Sequence, residues 1–347
     1  MTLKKSKEKK GRKEITKLYY KRSIYKDARK KDKIKIVRTI FEILFCIAIV
    51  IMVSKIIFFP KQYKKPDMAK WTQSEGFIAI SYTGVSYKKT SDLISKNQLD
   101  NQLKALYNSG YVTLDIEDIE NYYKNNGRLP PKALLLMFED GRKDSFIFAQ
   151  SILKKYNFKA VMFTYASNIE DNNRIFLKKK DLRYLDKNSF WECGSSGYRF
   201  SRINVYKKNA ANSSKNGNDT DIQYTHYLMD YLRDENGIPI ESKKQMEERI
   251  TYDYDEMNKI YKDVLGYQPK VYMIMHAGSI FNNMNAAVQE INLKNIYKYF
   301  DIMFARKESS YNTKNDSIYN LTRLQVNPDW TGDMLISQIK KDIQEKR

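Results

Sequence analysis

The sequence is poor in the residues that build small metal and disulfide modules. Its 347 residues hold two cysteines and two histidines. Two cysteines exclude a disulfide scaffold and any cysteine-rich zinc module. Two histidines, His226 and His276, exclude a site that needs three imidazoles. Acidic residues are outnumbered, 41 against 62 Lys and Arg, for a net charge of +21. The excess is local. Residues 1–38 hold 17 basic and 4 acidic side chains, and the rest of the chain holds 45 and 37. The charge therefore says little about what the main part of the chain binds. A hydrophobic share of 42% with 13% aromatics is ample for a packed core and excludes wholesale disorder.

A long apolar run follows the basic arm. Ile40 to Phe59 carries only two charges, Glu42 and Lys55, near its ends. Roughly 20 residues suffice to cross the hydrocarbon core of a bilayer. Pro60 ends the run, and no small-residue cleavage site follows, so an uncleaved anchor is expected over a removable signal peptide. The positive-inside rule places residues 1–38 in the cytoplasm and the bulk of the chain outside. A basic arm can bind nucleic acid. Beside a membrane span it more simply fixes topology and touches anionic lipid, so lipid is the expected partner and nucleic acid is not. Cys46 falls in the anchor and leaves Cys193 as a lone outer thiol, for which burial is expected.

Beyond a linker over residues 60–75, strand and helix patterns alternate. Gly76–Ser81 reads as a strand. Ser95–Ser109 reads as a helix capped by Ser95, with Leu99, Leu103 and Leu106 near helical spacing. Tyr111–Leu114 is a short strand and Ile116–Asn125 a second helix. Lys132–Phe138 is a continuous apolar run, as in a strand buried on both faces. Lys143–Tyr156 is helical again, and Ala160–Tyr165 is the next buried strand. This alternation predicts a parallel α/β sheet or barrel, whose chemistry would lie at the carboxyl ends of its strands. Glu139-Asp140-Gly141 follows Phe138 at such an end. Two acids before a glycine suit a metal ligand and a general base, although acids also simply favour turns that lead into helices.

Residues 130–169, PPKALLLMFEDGRKDSFIFAQSILKKYNFKAVMFTYASNI, resemble the first motif of the polysaccharide deacetylases. These are carbohydrate esterase family 4 proteins with the NodB homology domain. Phe138, Asp140, Gly141, Asp144, Ala149 and Ile152 to Tyr156 keep the family pattern. Ile80 to Val85 is similar to the strand that the family writes LMYHGV, and Phe190 to Ser195 to its WEIGS segment. Val264 to Gly278 is similar to a later strand. The resemblance implies an α/β fold, a distorted (β/α) barrel of the polysaccharide deacetylase type, here preceded by one N-terminal transmembrane helix. The expected organisation is a basic cytoplasmic arm (1–38), an anchor (39–59), a linker (60–75) and an extracytoplasmic domain (76–347) with an insertion at about 206–249.

The family binds zinc through one Asp and two His, and the resemblance maps these onto Asp140, Ser196 and Phe200. Thr83 stands where another family His is found, and Glu139 where the catalytic base is an Asp. The arginine expected to pair with that base is missing from the segment before Gly278. One carboxylate does not hold zinc usefully, since affinity comes from several ligands in fixed geometry. No cofactor is therefore expected. His276 and His226 could rebuild a site with Asp140 only if the insertion folds over the mouth.

The residues expected to do chemistry are Glu139, Asp140 and His276. Those expected to contact a sugar are Arg142, Glu192, Tyr198, Arg199, Arg202, Arg323 and Trp330. Acids, arginines and an aromatic platform suit a glycan groove, although Trp330 would serve equally well as core. Three classes of function remain open. One is a divergent or non-catalytic domain, tethered at the outer face, that binds a surface polysaccharide or peptidoglycan glycan. The second is an active hydrolase, either a rearranged deacetylase or a metal-free glycosidase that uses Glu139 with a second acid. The third is a structural partner of a membrane glycan synthase.

Overall fold

The computed structural model describes residues 2–58, 61–72, 74–88, 90–199, 202–207, 222–226, 228–234, 237–274, 281 and 284–346. The chain divides into two units, Met1–Lys61 and Gln62–Arg347.

The first unit is one helix, Thr2–Phe58. Its Arg29–Lys55 stretch is long and apolar enough to cross a membrane, with a window of mean hydropathy 2.6 and no side chain of that window buried. Phe41, Leu44, Phe45 and Val50 all lie exposed, as lipid-facing residues would. Arg38 Nε donates to Glu42 Oε1 at 2.8 Å, one turn apart, so the acid at the head of the apolar run is paired.

The second unit is a (β/α) barrel. Its parallel strands run, in spatial order, Gly76–Tyr82, Ala133–Phe138, Ala160–Thr164, Trp191–Ser195, Val271–Met273 and Ile302–Arg306. The ring closes through a short segment that is shared between two neighbours. Leu321–Thr322 pairs with Ile302–Arg306, and two residues on, Leu324–Gln325 pairs with Gly76–Tyr82. Tyr311–Thr313 adds an antiparallel edge to Gly76–Tyr82. The 206–249 region opens with a hairpin, Arg202–Lys207 against Ile222–His226.

Side chains alternate along each strand, and the two faces form two separate cores. Phe77, Ala79, Leu135, Met137, Val161, Phe163, Met273 and Phe304 fill one, the barrel interior. Ile78, Ile80, Leu134, Leu136, Phe138 and Met162 face the other way, against the helices. There they meet Leu99 and Leu103 of Lys96–Asn108, Phe146 and Leu153 of Lys143–Tyr156, and Met257 of Lys243–Leu265. The helices start where the sequence places their caps. Ser95 Oγ accepts from Gln98 N at 3.2 Å, and Asp115 and Asp118 form a reciprocal capping box on Ile116–Lys124. Cys193 is buried and unbridged.

Candidate functional site

The inner column of each strand ends in polar residues at the carboxyl rim. Phe77 and Ala79 lead to Ser81, and Leu135 and Met137 lead to Glu139. Because these two strands are neighbours, Ser81 Oγ donates to Glu139 Oε1 at 2.7 Å. Arg323 lies at the change-over between Leu321–Thr322 and Leu324–Gln325, with a side chain only 3% exposed. Its Nε donates to the same oxygen at 3.1 Å. Gln325 Nε2 donates to Glu139 Oε2 at 3.0 Å. Both oxygens of Glu139 are therefore engaged. An arginine does pair with the residue at the family's base position. It comes from between the two short strands that close the barrel, not from the segment before Gly278.

Asp140 and Gly141 both adopt left-handed backbone, with φ of 66° and 63°. Gly141 is obligatory for a second reason: a Cβ there would stand 2.7 Å from Thr164 Cγ2. This turn swings the chain from strand into helix Lys143–Tyr156 and leaves Asp140 half-buried at the rim. Burial, reinforced by the Glu139 charge, pushes the Asp140 carboxyl up to about 6; Arg142 and Arg323 oppose the rise. Arg142 is turned to Asp144, with Nε to Oδ1 at 3.0 Å and Nη2 to Oδ2 at 2.6 Å. Tyr165, buried at the end of Ala160–Thr164, is held well above the ordinary phenol range by burial, with the Asp140 charge adding to it. Lys307 follows Ile302–Arg306; burial holds its ammonium below the usual lysine range, against the pull of Glu139. The motif gave no signal for Tyr165 or Lys307. Their position just past a strand end was the signal available.

The remaining expected residues scatter. Glu192 is the second residue of Trp191–Ser195 and so lies at the opposite, amino-terminal end of the barrel. There it accepts from Ile116 N at 3.0 Å and from Lys159 Nζ at 3.2 Å, and it lines a cavity of about 390 Å³ with Cys193, Tyr267 and Lys270. The structure does not bring it to the rim. Tyr198 and Arg199 follow the same strand at its carboxyl end. Arg199 stacks on the Tyr198 ring at 5.3 Å and pairs with buried Asp253 at 2.9 Å. Burial, opposed by Arg199, pushes the Asp253 carboxyl up to about 6. Trp330 is half-buried against the helix-side core, and its carbonyl accepts from Gln98 and Gln102 at 2.6 and 2.8 Å. No contact among the described residues joins its ring to Glu139 or Asp140. His276 and Phe200 lie outside the described residues, and for Arg202 and His226 only the backbone pairing in the hairpin is described.

The donor set can be tested against a divalent metal. Among the described residues no three His, Cys, Asp or Glu side chains converge. Thr83 Oγ1 donates to the carbonyl of Asp92 at 2.6 Å, and Ser196 is buried with its amide on the Thr164 carbonyl at 2.8 Å. Glu139 is taken by three donors. The described residues around Asp140 do not fit the three-ligand geometry that a catalytic zinc requires.

Residues 126–296 match the family model described as polysaccharide deacetylase. A poly-beta-1,6-N-acetyl-D-glucosamine N-deacetylase of Staphylococcus aureus (strain MRSA252) is 26% identical over 168 residues, 48% of this chain and 54% of that protein. The match thus spans about half the length of that relative. A putative polysaccharide deacetylase of Bacillus subtilis (strain 168), YxkH, is 27% identical over 111 residues, 31% of this chain and 39% of that protein. Among solved structures, the de-N-acetylase from Aggregatibacter actinomycetemcomitans superposes with a TM-score of 0.60 at 16% identity, covering 76% of this chain and 99% of that one. IcaB from Ammonifex degensii gives 0.56 at 16%, covering 77% and 98%. At these identities the superpositions speak for the barrel alone. The motif order, the barrel and the family match agree: residues 126–296 belong to a polysaccharide deacetylase domain.

Proposed function

We propose that this protein is a divergent polysaccharide deacetylase-like domain, held at the outer face of the cell membrane, that binds a surface glycan of N-acetylated sugars without the family's zinc centre. One observation carries this reading. Where a metal-dependent hydrolase needs a cation held by three ligands, Asp140 has no second or third donor among the described residues, and both oxygens of Glu139 are occupied. Glu139 and its three donors thus form a paired polar surface at the rim, suited to hydrogen bonding with sugar hydroxyls. The exposed apolar helix supports anchoring, and the basic residues that precede it support a cytoplasmic arm.

The test uses the full chain purified in detergent. Elemental analysis is expected to find well under one zinc per chain. Oligomers of N-acetylated or partly de-N-acetylated hexosamine are expected to bind, and added zinc should not stimulate acetate release. Stoichiometric zinc that survives dialysis, or zinc-dependent acetate release, would overturn the reading.

A further inference from the structure

Asp140 lies beside Glu139 at the rim and feels the charges of Glu139, Arg142 and Arg323. The two cations that act on it are each committed to a different carboxylate. Arg142 is locked on Asp144 through two hydrogen bonds. Arg323 is locked on Glu139. Lys307 stands within reach of the Glu139 and Arg323 charges and forms no ion pair among the described residues. No described residue donates a hydrogen bond to the Asp140 carboxylate or comes within ion-pair distance of it. The side chain is only half-buried, so it is open to a ligand from solvent.

A half-buried carboxylate with no hydrogen-bonded or ion-paired partner among the described residues favours a cation. A divalent ion needs several fixed ligands. A primary ammonium needs only one anionic partner and neutral acceptors for its other protons, such as carbonyl and hydroxyl oxygens. We infer that Asp140 receives the ammonium group of a de-N-acetylated amino sugar, so that the rim prefers glycan units whose acetyl group has already been removed. The inference rests on the glycan-binding reading above and names the chemical class of its ligand. An acetamide carries no charge and would leave the carboxylate unpaired, which is the source of discrimination. The protein would then act after an N-deacetylation reaction, as a reader of its product.

The experiment compares two oligosaccharides of equal length and linkage, one fully N-acetylated and one fully de-N-acetylated. Each is titrated at neutral pH into the full chain in detergent. The amine-bearing oligomer is expected to bind about tenfold more tightly, the ratio that one charge-assisted hydrogen bond supplies. Asp140→Asn should erase that preference, bringing the amine-bearing oligomer down to the level of the acetylated one. Asn accepts left-handed backbone as Asp does, so the variant should fold, and its unfolding temperature checks this. Lys307→Gln should leave or strengthen binding of the amine-bearing oligomer. Equal binding of both oligomers, tighter binding of the acetylated one, or a preference that survives Asp140→Asn overturns the inference and leaves glycan binding standing. Weaker amine binding by Lys307→Gln also overturns it. Binding of neither oligomer overturns both readings.

Discussion

Arg323 offers a quantitative test of how the rim is held together. Its guanidinium is 3% exposed, and the Glu139 side chain that it pairs with is 12% exposed. Replacing Arg323 with Met keeps the volume and removes the charge. Glu139 then keeps only Ser81 and Gln325 as neutral donors. Removing one partner of a buried pair costs about 3–5 kcal/mol, because the other charge stays behind without compensation. Two surviving hydrogen bonds, each worth about 1 kcal/mol, place the expected cost near the lower end, about 3 kcal/mol. In a unit of this size that is a fall of roughly 6 °C in unfolding temperature. The double variant Glu139→Gln with Arg323→Met removes both charges and should return to within about 1 kcal/mol of the parent. The assay is thermal unfolding of the full chain in detergent, followed by near-ultraviolet circular dichroism. If Arg323→Met unfolds at the parent temperature, or the double variant is worse than the single, the ion pair does not anchor the rim.

Three further outcomes follow from particular residues. Gly141→Ala should cost about 2 kcal/mol, from positive φ and from contact with Thr164; adding Thr164→Ser should recover the contact part only, and a fully stable single variant would refute the close approach. Asp253 has a folded-state carboxyl raised to about 6, so the folded chain binds its proton more tightly than the unfolded chain. Its contribution is then most favourable below the unfolded value near 4 and declines as pH rises to 6, by on the order of 2–3 kcal/mol. Asp253→Asn should flatten that slope in denaturation midpoints taken from pH 4.5 to 7; an unchanged slope assigns it to other groups. Ser95→Ala should destabilise by about 1 kcal/mol through loss of the hydroxyl acceptor for Gln98 N, measured by the same unfolding assay.

The barrel was legible because its strands are buried on both faces. Such strands read as unbroken apolar runs, and Ala133–Phe138 and Ala160–Thr164 lie within a residue of the expected bounds. Lys143–Tyr156 coincides with its expected helix. Ser95 announced its helix because a hydroxyl before an apolar periodic segment has one favourable local use. The site was less legible, since its contacts join distant parts of the chain. Arg323 and Glu139 are 184 positions apart, and no local pattern links them. The match of motif to motif directed attention to the segment before Gly278 and away from Arg323 as a partner for the base position. Glu192 was misplaced for a different reason. Its segment resembles a rim motif, yet the residue stands at the start of its strand, about 10 Å of strand rise from the other end.

The shared closing segment has a consequence for how the protein is made. The two residue pairs that seal the ring flank Arg323, so shutting the cylinder and neutralising Glu139 are a single event. A nascent chain that has not yet emitted residue 325 has two open sheet edges and a stranded anion at its would-be mouth. Synthesis must run nearly to the last helix, Gly332–Lys346, before either defect can be cured. Until then the chain depends on whatever shields unpaired strands where it folds.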